Sequence, residues 1–502
     1  MNAKISLETL VEEIPYEDPF EAYRRLTRDG SQVSLLMESR SRDLRYGRQS
    51  IIVPAPSLSI TGRNDYFRLE ALDELGREIM RQIAGVISQD DSYRLLDEKE
   101  IIYPSTRQAM REGKLCIGEL KSSRSKSRAA PEEERLRNAS LAGAIRAVLN
   151  SFSSNDEHAG LYGTFSYDFV RQFEDIGHRF IRGGEVFSLF LPSEVYVFDD
   201  IRERAFRKRY FGTAIKTQPV SSQLKSGKND ICLKFDMGDA EYIAKVARIV
   251  EEIKRGELIQ AVLSRTASVN IQQAPTESYG TLRRINPSPY CFFFNLGGGE
   301  ALFGASPELH VKVTNGHVEI RPLAGTARRP GDAVSDYHAR MQLLNDVKEQ
   351  REHTMLVDLA RNDIGRVCDS VEVTEFMAIE EYPNLYHMGS GVTGKLSKGR
   401  DALDCLIATL PAGTVSGAPK VRAMQLIEEL ENSRRGPYGG CIGSLSFNGN
   451  CNTGLTLRSV YVDNGRAYVR AGAGIVHHSI PEKELQEVNL KNANQLRALG
   501  VR

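Results

Sequence analysis

The stretch Glu484-Leu-Gln-Glu-Val-Asn-Leu-Lys491 carries two carboxylates and an ammonium at helical spacing near the end of the chain. Residues three and four apart share one face of a helix, so these side chains are expected to form a single charged stripe. Such a stripe is either a surface ion cluster, which is the commoner case, or half of a metal and anion site. The same spacing recurs in Glu349-Gln-Arg-Glu352, and two such faces together can supply oxygen ligands to a hard divalent ion.

Length and composition are those of an ordinary soluble globular protein with several domains or one large two-part architecture. The chain has 502 residues, of which 41% are hydrophobic and 26% are charged. Lys plus Arg and Asp plus Glu both number 66, so there is no net basic field to attract nucleic acid. The seven cysteines are scattered, with no Cys-x-x-Cys pair that would indicate a zinc site. Because neither a membrane span nor a signal peptide is evident, we expect a cytoplasmic protein.

Apolar periodicity predicts an alternation of helices and strands. The predicted helices cover residues 18–28, 67–87, 239–256 and 335–360. Residues 217–230 are polar and rich in turn formers, which makes them the best domain boundary. Residues 121–135 are typical of an exposed loop, whose basic side chains could contact an anion but are more often simply solvated. Long helices among antiparallel-style strands indicate a layered α+β fold rather than a doubly wound sheet.

Four motifs in the second half of the chain carry a family resemblance. They are Arg321-Pro-Leu-Ala-Gly-Thr326, Leu356-Val-Asp-Leu-Ala-Arg-Asn-Asp-Ile-Gly-Arg366, Gly413-Thr-Val-Ser-Gly-Ala-Pro-Lys-Val-Arg-Ala-Met424 and Ala471-Gly-Ala-Gly-Ile-Val476. Together they resemble the chorismate-utilising enzymes over about residues 235–500. Leu35-Leu-Met-Glu-Ser39 is similar to a motif near the start of the anthranilate synthase large subunits, the members that this chain resembles most.

The resemblance implies a fold and separate functions for the two parts of the chain. The expected fold is a layered sandwich of mostly antiparallel sheets flanked by helices. Residues 1–215 are expected to form a regulatory part that binds tryptophan and contacts a partner. Residues 230–502 are expected to form the part that binds chorismate and catalyses its conversion.

The acidic helix faces acquire a role from the resemblance. The family binds chorismate, a dianion, with Mg²⁺ on its ring carboxylate, and this implies a magnesium site in the present chain. Glu352 and Glu487 are the expected principal ligands, and Glu349 and Glu484 are expected to act directly or through water. Magnesium characteristically takes a few carboxylates, retained waters and a substrate anion.

The resemblance also implies which residues surround the reacting groups of the substrate. The implied catalytic residues are His387, Glu308, Gln260 and Thr414, and the implied substrate-binding residues are Gly325, Thr326, Tyr438, Arg458, Gly472, Gly474 and Lys491. His387 is expected to do acid–base chemistry at the 4-position of the ring, with Glu308 as an acidic partner.

Some of these residues have a simpler reading outside the motif set. The pair Gly472-Ala-Gly474 could be a strand bulge, and a lone histidine is more often structural. Ser416 is predicted to be the N-cap of the helix that follows, with Pro419 in its first turn, so that a helix N-terminus faces the site.

Two uncharged positions discriminate among members of the family. Isochorismate and salicylate synthases carry a water-activating lysine where this chain has Gln260, and an amide cannot act as that base. Aminodeoxychorismate synthases usually carry a lysine nucleophile where this chain has Ala324. Both positions favour addition of ammonia, which is already a nucleophile, at the 2-position of the ring.

A source of ammonia and an inhibitor follow from the resemblance. Gly439-Gly-Cys-Ile-Gly443 has the spacing of a glutaminase nucleophile elbow, but no His-x-Glu pair follows it. The implied partner is therefore a separate glutamine amidotransferase subunit, component II, in a heterotetramer of two large and two small subunits. Ser39, Pro287 and Tyr290 are expected to bind tryptophan as a feedback inhibitor, although Asn286-Pro-Ser-Pro-Tyr290 by itself is simply a rigid turn.

Two other functions remain open at this point. An aminodeoxychorismate synthase of the folate pathway is disfavoured by Ala324. A non-catalytic tryptophan-binding regulator with the same fold would be expected to lose some of the site residues. Glu352, His387, Arg458, Glu487 and Lys491 are all present.

Overall fold

The computed structural model describes residues 4–40, 49–100, 103–121, 140–180, 183–211, 232–382 and 385–501. Most of the predicted loop at residues 121–135 and the whole predicted boundary at residues 217–230 lie outside these ranges.

The described helices lie mainly in the second half of the chain. The α-helices are α1 (Pro19–Leu26), α2 (Glu74–Ile87), α3 (Pro104–Arg111), α4 (Leu141–Ser151), α5 (Asp239–Lys254), α6 (Pro275–Ile285), α7 (Ala333–Asn345), α8 (Val347–Gly365), α9 (Ala402–Thr409), α10 (Lys420–Leu430) and α11 (Pro481–Ala498). Short 3₁₀ helices occur at Glu98–Glu100, Tyr167–Gln172 and Gly413–Val415.

The strands run through the whole chain and are mostly short. The strands of the first half are β1 (Ile5–Ser6), β2 (Leu10–Ile14), β3 (Ser34–Glu38), β4 (Gln49–Val53), β5 (Pro56–Arg63), β6 (Tyr66–Ala71), β7 (Tyr93–Leu95), β8 (Leu115–Leu120), β9 (Phe152–Ser153), β10 (Gly160–Phe165), β11 (Phe187–Pro192), β12 (Glu194–Asp199), β13 (Arg204–Arg209) and β14 (Lys234–Phe235). Those of the second half are β15 (Gln260–Asn270), β16 (Tyr290–Gly297), β17 (Glu300–Ser306), β18 (Leu309–Thr314), β19 (His317–Ile320), β20 (Leu323–Arg328), β21 (Cys368–Glu381), β22 (Leu385–Leu396), β23 (Gly417–Ala418), β24 (Cys441–Ser446), β25 (Cys451–Leu455), β26 (Ser459–Asp463) and β27 (Arg466–Ile475).

Two large antiparallel sheets organise these strands, which confirms the layered α+β prediction. In the described residues one sheet has 13 strands in the order β20-β22-β19-β18-β25-β24-β10-β11-β5-β6-β8-β7, with β21 added on β22. The other has 12 strands in the order β14-β15-β27-β26-β17-β16-β3-β4-β12-β13-β2, with β23 added on β15. Strands from both halves of the chain share each sheet, because β10 pairs with β24 in the first and β3 pairs with β16 in the second.

Strand β16, in the middle of the 12-stranded sheet, is buried on both of its faces. Phe292 and Phe294 of β16 point into a core that also contacts the larger sheet. Phe293, between them, points into a second core formed with α1 and α6. Because successive strand residues face opposite sides, a strand covered on both sides has no polar alternation, and this explains the continuous apolar run at residues 291–294.

The predicted helix over residues 67–87 is wrong in its first part. Phe67 and Leu69 of β6 are buried while Arg68 is exposed, which is the two-residue period of a strand paired with β5. The helix itself begins only at Glu74, where the carboxylate of Asp73 accepts the N–H of Gly76.

The predicted single helix over residues 335–360 is two helices, α7 and α8, separated at Asp346. The Asp346 carboxylate accepts the N–H groups of Lys348 and Glu349 at 2.9 and 3.2 Å, so it caps a new helix. Glu349 and Glu352 therefore lie in the first turns of α8 rather than in the middle of a long helix. None of the described helices is both long and apolar enough to cross a membrane.

Candidate active site

The strands β15 and β27 carry one wall of a polar cleft. Gly472 and Gly474 pair in regular register with Ser264 and Val262, so the strand-bulge reading of this glycine pair is wrong. A Cβ added at Gly474 would lie 3.4 Å from Cδ of Gln260, and one added at Gly472 would lie 3.0 Å from Oη of Tyr438. The glycines therefore allow these side chains to approach the backbone of β27 closely.

Lys491 joins the last helix to this wall. Its Nζ donates to the carbonyl oxygen of Gly472 at 3.0 Å and pairs with Glu487 at 2.7 Å. The N–H of Gly472 bonds the hydroxyl of Tyr438, whose pKa burial raises to about 12. An ammonium and a neutral phenol thus flank the backbone of one strand, an arrangement suited to binding a carboxylate.

Tyr438 and the loop before it are held by a buried arginine. Arg435 pairs with Glu431 at 2.7 Å and donates to the carbonyl oxygens of Val415 and Val262, each at 2.6 Å. Its guanidinium also lies 5.7 Å from the ring centroid of Tyr438. Arg435 therefore fixes the loop containing Thr414 against β15, a role that the sequence motifs did not indicate.

Ser416 does not cap a helix, so that prediction is wrong. Its hydroxyl donates to the carbonyl oxygen of Ala412 at 2.8 Å, and α10 begins only at Lys420, after Pro419. The segment between them, β23, is instead drawn out as a short strand that pairs with β15. The part of the motif that faces the cleft is the 3₁₀ turn Gly413–Val415.

His387 is held as a neutral base. Its Nδ1 lies 3.2 Å from the carbonyl oxygen of Gly325 and 2.9 Å from the hydroxyl of Thr326. A carbonyl oxygen can only accept, so we assign the proton to Nδ1 and the lone pair to Nε2, which is buried without a partner in the described residues. Burial, with the nearby charge of Arg458, lowers the pKa of His387 to about 3.

Burial favours the neutral form of Glu308 as it does that of His387, but for a carboxyl the neutral form is the protonated one. Burial raises its pKa to about 8, and the charge of Glu380 acts in the same direction. The hydroxyl of Thr414 donates to Oε1 of Glu308 at 2.9 Å. At neutral pH this carboxyl therefore carries a proton, while the histidine in the same cleft does not.

Arg458 is aimed into the cleft by an unusual backbone conformation. Its φ is +47°, in the left-handed region that side chains with a Cβ rarely adopt. Burial lowers its pKa, and in the described part of the chain its guanidinium makes no hydrogen bond or ion pair. A strained arginine without a protein partner is typical of a group that binds a ligand anion.

The four predicted metal ligands face one another across α8 and α11. Burial raises the pKa of Glu352 to about 7, and it also raises the pKa values of Glu349 and Glu484. The charges of neighbouring carboxylates also raise these pKa values. Glu349 and Glu484 raise the pKa of Glu352. Glu487 raises the pKa values of Glu349 and Glu484. A Cβ added at Gly325 would lie 3.1 Å from Oε2 of Glu349, so this cluster adjoins His387.

These carboxylates fit a cation chemically. Oε1 of Glu352 is buried without a hydrogen bond in the described residues, and Lys348 approaches it at 3.6 Å. All four carboxylates raise the pKa of Lys348, which is thus the local counter-charge. Within the described ranges no three His, Cys, Asp or Glu side chains converge closely enough to hold a metal ion. The donor set is that of a hard cation, although the side chains are spread apart.

Two of the three predicted inhibitor residues line a separate cavity. It has a volume of about 420 Å³ and lies between the two sheets at β3 and β16. Ser39 and Tyr290 line it, and Pro289 does so in place of the predicted Pro287. Its charged lining residues are Glu38, Glu157, Asp199, Arg202 and Lys312.

Tyr290 also contacts the strand that leads to the catalytic cleft. Its hydroxyl donates to Oδ1 of Asn452 at 3.0 Å, and a Cβ added at Gly454 would lie 2.5 Å from its ring. Position 454 must therefore be glycine while the ring occupies this place. The next residue, Leu455, donates its N–H to the carbonyl oxygen of Glu308 at 3.0 Å.

Several known proteins are similar to this chain in sequence or in structure. A profile of the family described as chorismate binding enzyme matches residues 99–497. Anthranilate synthase component 1 of Acetivibrio thermocellus is 36% identical over 372 residues, which cover 68% of this chain and 75% of that protein. Its counterpart in Pseudomonas aeruginosa is 46% identical over 263 residues, which cover 52% of this chain and 53% of that protein. The crystal structure of anthranilate synthase component I from Streptococcus pneumoniae superposes with a TM-score of 0.64 at 28% identity, covering 89% of this chain and 92% of that one.

Proposed function

Because this chain belongs to the chorismate binding enzymes, we propose that it is the large subunit of an anthranilate synthase. In this function it converts chorismate and ammonia to anthranilate and pyruvate, the first step of tryptophan biosynthesis. The proposal is supported by the relatives that are named anthranilate synthase component 1. It is also supported by the proximity of Glu308, Thr414 and His387 to the charges of the cleft.

The observation that carries the proposal is the pair of uncharged residues at the positions that distinguish related reactions. Gln260 packs against Gly474 in the cleft and offers an amide where a water-activating base would stand. Ala324 lies on β20 beside the strand of His387 and has no amino group for covalent attack. With no water-activating base at position 260 and no amine nucleophile at position 324, the attacking group in this proposal is ammonia itself.

Substrate binding in this proposal uses the cations of the cleft. The guanidinium of Arg458 binds the enolpyruvyl carboxylate in a bidentate manner, and Lys491 adds a second positive charge. The close backbone of Gly472 and Gly474 lets main-chain N–H groups reach the same anion. Mg²⁺, held by the four glutamates, would bind the ring carboxylate and offset its charge.

Proton transfer is divided between Glu308 and His387. Glu308, protonated at neutral pH, donates to the 4-hydroxyl as it leaves as water while ammonia adds at the 2-position. The product of that step is aminodeoxyisochorismate. His387 then accepts the ring C2 proton at its unprotonated Nε2 as the C3–O bond to the enolpyruvyl group breaks and the ring becomes aromatic. The departing enolpyruvate takes up one proton and becomes pyruvate.

The ammonia comes from a separate glutamine amidotransferase subunit in this proposal, in an assembly of two large and two small subunits. Cys441, at the centre of the elbow-like spacing, lies in β24 and is fully buried. Burial raises the pKa of its thiol far above the usual range, so it is not a reactive nucleophile. The chain therefore needs either a partner or free ammonium.

Tryptophan is the proposed inhibitor at the cavity lined by Ser39 and Tyr290. The cavity is within the size range of small-molecule sites. It combines apolar residues such as Met37 and Ile51 with charges of both signs. That combination suits an amino acid with an apolar side chain and a zwitterionic end.

A direct assay tests the proposed reaction. Purified protein is incubated with chorismate, Mg²⁺ and ammonium at mildly alkaline pH, and anthranilate is followed by its fluorescence. We expect anthranilate with ammonium and none when glutamine replaces it and the chain is alone. A 4-amino product would show an aminodeoxychorismate synthase instead, and no product with any nitrogen source would rule out the proposed enzyme.

The pH dependence of the reaction should report Glu308. At saturating Mg²⁺ and constant free ammonia, kcat/KM for chorismate should be level near neutral pH. It should fall by about tenfold per unit well above pH 8, because Glu308 then loses its proton. A limb near the usual pKa of histidine should be absent, because the pKa of His387 is lowered to about 3. A loss of activity between pH 7 and 6 would contradict the assignment of a neutral His387.

Magnesium binding should depend on Glu352. We expect Glu352→Gln to lower Mg²⁺ affinity by at least about tenfold, measured by calorimetry on the protein without substrate, because an amide offers one neutral oxygen in place of a carboxylate. Glu251→Gln, at an exposed position of α5, is the matched control and should bind Mg²⁺ normally. Equal affinity in both variants would remove Glu352 from the proposed metal site.

A further inference from the structure

Tyr382 contacts His387 and the residue that precedes Glu308. It follows the last residue of β21 and is 9% exposed. Its hydroxyl lies 3.3 Å from the carbonyl oxygen of Pro307, the residue that precedes Glu308. Its ring meets the ring of His387 edge to face, with centroids 5.2 Å apart and planes at 79°. One side chain therefore spans the distance between the acid and the base.

The same hydroxyl is fixed from behind by a buried ion pair. Its single proton is shared between the carbonyl oxygen of Pro307 and Oε2 of Glu380, the latter at 3.2 Å, and Glu380 is 1% exposed. Arg321 binds the other oxygen of Glu380 at 3.0 Å. A Cβ added at Gly389 would lie only 2.6 Å from this carboxylate, so the glycine leaves the space that Glu380 occupies.

We propose that Tyr382 is a positioning residue that keeps Glu308 and His387 in a fixed relative position. Its hydroxyl connects this pair to the carboxylate of Glu380. The proposal rests on the proposed function, in which Glu308 is the acid and His387 is the base. Tyr382 does this through the carbonyl group of Pro307 on one side and the imidazole ring on the other. An aromatic ring in edge contact limits rotation of its neighbour, and a shared hydroxyl limits movement of the loop.

The charges that face Glu308 decide the direction of the electrostatic effect. Glu380 raises its pKa, whereas Lys491 lowers it. Arg458 is also close enough to Glu308 for the two charges to interact. Loss of the charge of Glu380, or entry of water where the Tyr382 hydroxyl now lies, should favour the ionised form of Glu308.

The test is Tyr382→Phe, which deletes the hydroxyl and keeps the ring on His387. With ammonium as the nitrogen source, we expect kcat to fall about tenfold and KM for chorismate to stay within about twofold. The alkaline limb of kcat should move to lower pH. Glu380→Gln keeps an oxygen toward Arg321 and removes the charge, and it should move the limb in the same direction.

Controls separate positioning from a loss of folding. Tyr337→Phe removes the hydroxyl of an exposed tyrosine on α7 and should leave kcat and the limb unchanged. If Tyr382→Phe has the kcat and limb of the original protein, the proposal is wrong. If kcat falls in both Tyr382→Phe and Glu380→Gln but its decrease at alkaline pH begins at the same pH as in the original protein, Tyr382 is only structural and the proposal is also wrong. If the original protein makes no anthranilate, the proposed function fails first, independently of Tyr382.

Discussion

Replacement of Glu308 by glutamine should lower kcat about a thousandfold and leave KM for chorismate nearly unchanged. The side chain is buried, bonded by Thr414, and protonated at neutral pH because its pKa is raised to about 8. An amide keeps the size and the hydrogen bond but has no acidic proton for the departing 4-hydroxyl. General-acid groups typically contribute factors of about 10² to 10⁴. Steady-state kinetics with ammonium measure both constants.

The stability of the same variant distinguishes lost chemistry from lost folding. A carboxyl whose folded-state pKa lies above its unfolded value binds more protons in the folded state. The fold therefore loses stability as pH rises from the unfolded toward the folded pKa. Glutamine at position 308 has no such dependence, so Glu308→Gln should be at least as stable as the original protein at pH 8. A clear drop in its melting temperature at that pH would contradict the raised pKa.

Replacement of Arg458 by methionine should lower kcat/KM for chorismate about a thousandfold. Two charge-assisted hydrogen bonds to the enolpyruvyl carboxylate, at about 2 kcal/mol each, account for a loss of that order. Arg458→Lys is a weaker test, because the lysine ammonium retains the positive charge and loses only the bidentate geometry. Lys491, at the same end of the cleft, is expected to limit the loss rather than to replace the guanidinium.

The same change should make the protein more stable. The guanidinium of Arg458 has no hydrogen bond or ion pair in the described residues, and burial lowers its pKa. Removing a half-buried charge of this kind is expected to add about 1 kcal/mol to the free energy of unfolding. The left-handed φ of +47° stays with methionine, so the gain comes from the charge alone. Denaturant unfolding measures it, and lower stability together with lower activity would argue for a structural Arg458.

Helical spacing and motif residues predict which side chains lie near one another in the cleft. The faces of Glu349/Glu352 and Glu484/Glu487 were predicted to cooperate although they are far apart in the chain, and α8 and α11 do face each other. The resemblance located Glu308 and His387, because its motifs are contiguous in sequence. The neutral state of His387 could not be predicted, since it depends on burial and on the charge of Arg458.

The wrong predictions arose where tertiary contacts override a local signal. Leu69 fits a helical period with its successors, but pairing with β5 makes its segment a strand. Ser416 has Pro419 three residues after it, within what would be the first helical turn, but β15 draws the segment into an extended pair. Tyr382 was missed because its partners Pro307 and His387 are brought to it by the sheet.

The strand β25 gives the two sites a common structural element. Tyr290 of the cavity bonds Asn452 and packs on Gly454, and the adjacent Leu455 bonds the backbone of Glu308. If occupation of the cavity shifts this strand and weakens chorismate binding by some factor, chorismate must weaken binding at the cavity by the same factor. Inhibition would then be relieved by substrate without any overlap of the two ligands. An enzyme built in this way responds to the ratio of its substrate to its inhibitor rather than to either concentration alone.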